Sequence, residues 1–162
     1  MKILFYHKHY EAKKTFDSKY ISWILYALNI CAIRENIFVD LIFQDNVDEI
    51  RAWFNNPENQ VSIQGVVELK LSCKKLEVIP TEISAFVNLQ RLNLNDNSIV
   101  LIPPEIGALV NLRRLSLGFN QIAEVSSEVG ALVNLEKLLL YENRITEIPA
   151  EIGNLVSLQE LA

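Results

Sequence analysis

The chain has 162 residues, 50% of them hydrophobic and 22% charged, enough apolar content to bury a sizeable core and too much for disorder. Twenty acidic against 15 basic side chains give a net charge of −5 with no basic run or basic-aromatic stripe, which argues against nonspecific nucleic-acid binding. Two cysteines, Cys31 and Cys73, cannot build a disulfide framework, and with no N-x-S/T sequon present the expected compartment is reducing and cytoplasmic.

From the N-terminus, Lys2 to Tyr6 reads as a strand, its apolar run ending at His7 and too short for a signal-peptide core. Ser18 to Arg34 reads as a helix behind an Asp17/Ser18 cap, Ile37 to Phe43 as a buried strand, and Asn46 to Phe54 as a second helix. This βαβα order predicts a small α/β capping unit over residues 1–60. Between Tyr20 and Ile33 only Ser22 and Asn29 interrupt the apolar run, yet that length falls short of the roughly 20 residues a bilayer demands, so no membrane span is expected. Asn46 with Glu49 forms a capping box, and Asn55-Asn56-Pro57 should end that helix. Its face of Val47, Ile50, Trp53 and Phe54 is expected to cover the core edge of the segment that starts at residue 61. The strand–helix–strand opening is similar, in pattern alone, to a TIR or other flavodoxin-like unit, and carries over no catalytic residue.

From residue 61 the chain repeats itself every 23 residues: Val66 to Asn88, Leu89 to Asn111, Leu112 to Asn134, Leu135 to Ser157, then a stub from Leu158 to Ala162. The common frame is L-x-x-L-x-L-x-x-N-x-I-x-x-I-P-x-E-I-G-x-L-V-N. A fixed period of this length means a solenoid, in which each turn buries its apolar side only against its neighbours. L-x-x-L-x-L should form a short strand. The Asn enters a buried bend where its amide can satisfy backbone groups of two turns. Ile79-Pro80, Ile102-Pro103 and Ile148-Pro149 then lead into short helical or extended segments carrying Glu82, Glu105, Glu128 and Glu151, where a glutamate complements the helix dipole. Lys74 replaces the Asn in the first repeat, so the amide ladder should begin at Asn97. Ser126 replaces Pro in the third, a milder change. Leu158 and Leu161 start a fifth repeat without completing it, so the fourth turn's apolar side and strand edge are expected to lie open, which would favour self-association.

The frame resembles the leucine-rich repeat family, in its 23-residue class with I-P-x-E-I-G-x-L, through Leu89, Leu92, Leu94, Asn97 and Ile99, then Leu112, Leu115, Leu117, Asn120 and Ile122, then Leu135, Leu138, Leu140, Asn143 and Ile145. The resemblance implies a solenoid of about four and a half turns, with parallel strands on a concave face, binding an unknown protein partner there without catalysis. The alternatives are the recognition part of a larger GTPase, kinase or ubiquitin ligase, or a bacterial effector secreted without a classical signal.

No phosphate loop, dinucleotide fingerprint, H-E-x-x-H, G-x-S-x-G or C-x-x-C is present, so neither catalytic residue nor cofactor is expected. His7, His9 and Glu11 lack a fourth metal ligand and read as loop residues. Cys73 has no His or Asp near it in sequence to activate it. What varies is the set of x positions on the strands, among them Glu68, Lys70, Gln90, Asp96, Ser116, Glu136 and Glu142. The candidate binding residues are Arg91, Asn93, Arg113, Arg114, Phe119, Lys137, Leu139 and Tyr141, because arginine and aromatic side chains are enriched where proteins bind tightly. The plainer alternative is a solvated face whose arginines pair with Asp96, Glu136 and Glu142.

Overall fold

The computed structural model describes residues 55–162. The strands and helices expected before residue 55, the His7/His9/Glu11 group and Cys31 lie outside them. Within them, a helix α1 (Pro57–Gln64) precedes five parallel strands, β1 (Glu68–Lys70), β2 (Arg91–Asn93), β3 (Arg114–Ser116), β4 (Lys137–Leu139) and β5 (Glu160–Leu161). They form one sheet in chain order, and every paired residue is offset by 23 positions from its partner, as in Leu69, Leu92, Leu115, Leu138 and Leu161.

Asn55-Asn56-Pro57, expected to end a helix that lies outside the described residues, starts one. Asn56 accepts the Glu58 N–H at 2.9 Å, Pro57 holds the first helical position with its missing N–H, and a new helix starts there. It closes on Gly65, whose N–H reaches Val61 O at 3.0 Å, and it buries Ile63. α1 therefore runs through residues 60 and 61, across the boundary expected from the sequence.

Each turn leaves its strand, bends at the Asn position, and returns through a five-residue 3₁₀ helix: Thr81–Ala85, Pro104–Ala108, Ser127–Ala131 and Ala150–Asn154. The residue before each helix is extended, with φ of −73° at Pro80 and Pro103 and −65° at Pro149. Ser126 takes the same conformation at −61° and adds a cap the prolines cannot make, its hydroxyl accepting the Glu128 N–H at 3.3 Å. That hydroxyl, with Ser127, also holds the Glu128 carboxyl below its ordinary value. The glycines serve close approach: a Cβ on Gly107 would stand 3.0 Å from Glu128 O in the next 3₁₀ helix, and one on Gly130 2.6 Å from Glu151 O.

One core runs through the turns, built from the frame's Leu and Ile positions with Phe86 and Ile63 at its start. Full burial of each such side chain contributes about 1.5–3 kcal/mol. The Asn ladder begins where Lys74 implied. Asn97 Oδ1 accepts the N–H groups of Lys74 and Leu76, both at 3.0 Å, so the second repeat's amide serves the first repeat's bend. A further ladder ends the frame: Asn88, Asn111 and Asn134 each donate to a carbonyl 24 residues earlier, on Gln64, Val87 and Val110. At the fourth turn the strand edge expected to lie open is paired. The stub pairs the strand edge as β5, with Leu140 N–H on Ala162 O at 2.6 Å and Ala162 N–H on Leu138 O at 3.1 Å. Outside the strands, Ile148 is 46% exposed where its counterpart Ile102 is 1%.

Candidate functional site

Parallel strands about 4.8 Å apart with a constant register turn the solvent-facing side of the sheet into columns of side chains. One column reads Glu68, Arg91, Arg114, Lys137, Glu160, three cations side by side with a carboxylate at each end. Arg91 grips Glu68 through two bonds, Nε to Oε1 at 3.1 Å and Nη2 to Oε2 at 3.3 Å. Lys70 also approaches that carboxylate, at 3.7 Å. Lys137 pairs with Glu160. Arg113, one place before β3, pairs with Glu136 at 2.8 Å. Arg114 is left over: among the described residues this exposed guanidinium has no ion-pair partner.

These pairs set the titration of the face. The Arg91 hydrogen bond holds the Glu68 carboxyl below its ordinary 4.5 and raises Arg91 in turn. Lys137 does the same to Glu160, with the charge of Arg114 adding a smaller pull. Being exposed, the pairs organise charge far more than they stabilise the fold.

Beyond the strands the chain turns left-handed. Asp96, Phe119 and Glu142 occupy one column with φ of 57°, 54° and 52°, a region unfavourable to bulky residues. Phe119 is 51% exposed and Tyr141, on the next turn, 38%. Their rings meet edge to face, centroids 5.3 Å apart and planes at 89°, an arrangement that aromatic quadrupoles favour. Tyr141 lies over Gly118, where a Cβ would come within 2.5 Å of its ring, and its hydroxyl accepts from Asn95 Nδ2 at 3.3 Å. Asn95 is fixed in turn, its Oδ1 taking the Gly118 N–H at 2.8 Å.

Arg91, Arg114 and Lys137 thus share a column, with Arg113 beside it, and the aromatic pair stands at the far end of β3. Between them run Asn93, Ser116 and Leu139 in register. Asn93 and Leu139 are half-buried, and Asn93 Oδ1 accepts the Asn95 N–H at 3.1 Å. Ser116, expected to point outward, is instead 5% exposed, a small side chain between two larger ones. Of the carboxylates expected to neutralise the arginines, Glu136 does so; Asp96 and Glu142 join no ion pair among the described residues. They belong to a column five residues further along the chain, beyond the reach of the cations.

Residues 60–162 match a family model described as a leucine-rich repeat region. The chain belongs to the leucine-rich repeat family. Its similar solved structures include a leucine-rich repeat protein of Leptospira interrogans, 34% identical with a TM-score of 0.51 over 67% of this chain. An internalin of Listeria monocytogenes is 31% identical with a TM-score of 0.56 over 61%. The plant peptide hormone receptor RGFR1, solved in complex with RGF2, is 38% identical with a TM-score of 0.55 over 59%. The chain spans 33%, 28% and 16% of those three proteins. No curated protein matches it. Leucine-rich repeat regions are typically modules of protein–protein interaction and generally non-catalytic.

In this leucine-rich repeat sheet, three residues that hold the candidate site escape the sequence reading. Gly118 and Asn95 seat Tyr141, and Glu160 fixes Lys137. A signal for Glu160 does exist: in a parallel solenoid of period 23, residue 137 faces residue 160. Among the described residues no three His, Cys, Asp or Glu gather as a metal site, and no helix is long and apolar enough to cross a membrane.

Proposed function

We propose that this leucine-rich repeat region binds a protein partner on the concave, strand-bearing face, with Arg91, Asn93, Arg113, Arg114, Phe119, Lys137, Leu139 and Tyr141 as the contact surface. The observation that carries the proposal is the aromatic pair. Phe119 and Tyr141 hold exposed ring area in a fixed geometry, braced by Gly118 and Asn95, at the far end of β3 from Arg114, which has no ion-pair partner among the described residues. Preorganised aromatics cost little entropy to use, and Tyr and Arg dominate binding hot spots. The plant receptor at 38% identity, solved in complex with RGF2, is a precedent for the same fold holding a partner.

The test uses a partner isolated by affinity capture and its dissociation constant for the purified chain. Arg114→Ala with Tyr141→Ala should weaken binding by about 2 kcal/mol or more while the circular dichroism spectrum stays unchanged. A partner that binds the double variant as tightly as the parent places the interface elsewhere.

A further inference from the structure

The face has a polarity that narrows the chemistry of its partner. In the Arg91–Arg114–Lys137 column both outer cations are occupied by glutamates on their far sides, and Glu136, the partner of Arg113, stands in the adjoining column. Arg114 therefore keeps its own donors uncommitted to any carboxylate among the described residues, with Glu160 near enough only for a weaker charge interaction. The next positions of the same alternation are Ser116, at the end of β3 and buried, and Gly118, just past the strand, which has no side chain. Nothing on that line rises above the sheet until the Tyr141 ring, laid across Gly118 with Phe119 against its edge. Beyond it, Asp96 and Glu142 flank Phe119 in its column and are exposed. The line along β3 thus runs from an unneutralised cation, over a low floor, to an aromatic wall bordered by carboxylates.

We infer that this line takes an extended acidic–apolar peptide segment, a carboxylate side chain on Arg114 and an apolar side chain against Tyr141 and Phe119; the inference rests on the binding face proposed above. The charges fix its direction, because Asp96 and Glu142 repel an acidic residue from the aromatic end. The spacing is fixed too. Residue 114 to residue 118 along an extended chain is about 13 Å, so the two side chains of the partner lie about four residues apart. An even separation puts both on the same side of an extended strand, and an odd one turns one of them away.

The experiment is amide and guanidinium NMR of the full ¹⁵N-labelled chain, titrated with blocked synthetic peptides on a Gly/Ser/Thr background. One peptide carries Asp and Leu about four residues apart, a second about three apart, and a third has Lys in place of Asp. The first should shift the Arg114 Nε–H and the amides from Ser116 to Phe119, binding about tenfold more tightly than the other two, the worth of one charge-assisted contact. Arg114→Gln should remove that advantage. Equal binding of the three peptides, an advantage that survives Arg114→Gln, or no shift on this face with any peptide would each overturn the inference. The partner measurement with Arg114 and Tyr141 is read separately: a partner lost there while the peptides behave alike overturns only the chemistry inferred here, and one unaffected there overturns the binding face itself.

Discussion

Asn97 donates from Nδ2 to Leu71 O, 26 residues earlier and 2.9 Å away, joining the second turn to the first. The same amide group reaches Leu94 O at 2.8 Å and Asn95 O at 3.1 Å, and its carbonyl serves Lys74 and Leu76. One side chain thus satisfies backbone on both sides of a turn interface. Asn120 and Asn143 repeat the pattern on Leu94, Leu117 and Gly118, and on Leu117, Leu140 and Tyr141.

Asn120 is the most buried of the three, so Asn120→Ala should lower stability by about 1–3 kcal/mol through unpaired carbonyls and the orphaned Ile99 N–H. Lys74→Ala removes no such amide and should cost much less. Denaturant midpoints compare the two; equal midpoints would mean that the amides contribute nothing beyond geometry.

The glycines of the 3₁₀ helices should divide by position. Gly130→Ala pushes a methyl to 2.6 Å from backbone of the following turn, which cannot swing aside, and should cost about 1–3 kcal/mol. A Cβ on Gly153 would meet nothing within 4 Å, so Gly153→Ala should be neutral or stabilise by up to about 1 kcal/mol. Thermal unfolding of both variants checks the contrast.

Gly118→Ala creates an even closer meeting, but with the Tyr141 ring, which can rotate away. Stability should change little, while the Tyr141–Asn95 bond is lost and the ring leaves Phe119. Two measurements check this: Tyr141 and Phe119 ring resonances should move, and partner affinity should fall as it does for Tyr141→Ala. Unmoved resonances would show that Gly118 is not the seat of the ring.

Glu68 and Glu160 have carboxyl groups held below 4.5 in the folded chain by Arg91 and Lys137. A lowered folded value means that their contribution to stability is present above the ordinary carboxylate range and is lost as pH falls through the lowered values. Carboxyl NMR titration should therefore find both below Glu side chains of ordinary environment. Arg91→Gln should return Glu68 toward 4.5 and leave Glu160 where it was; a Glu68 that does not move would mean another group holds it.

The period carried most of the fold. Leu92, Leu115 and Leu138 could be placed in one buried file from sequence because a solenoid stacks equivalent positions, and Lys74 correctly marked where the amide ladder starts. Three kinds of information were harder. Asn56-Pro57 serves equally well to stop one helix and to start another, and local sequence does not choose. The charge pairs needed the register as well as the period: Glu68–Arg91 and Lys137–Glu160 follow once residues 23 apart face each other, whereas pairing the arginines with Asp96 and Glu142 ignored the distance along the strand. The seat of Tyr141 on Gly118 was invisible because it depends on a ring folding back over the preceding turn, and on a left-handed bend at Phe119 that no frame position announces.

Tyr141 also alters how the solenoid should come apart. Stacked repeats behave as a one-dimensional array in which each unit is coupled to its immediate neighbours and the ends fray first. The hydroxyl of Tyr141 reaches Asn95, 46 residues back, and so links the fourth unit to the second over the top of the third. A coupling of that range penalises states in which the fourth unit opens alone. Amide exchange in the fourth unit should accordingly be slower than its contact with the third unit alone would give, and Tyr141→Phe should speed it by up to about tenfold, the worth of one hydrogen bond.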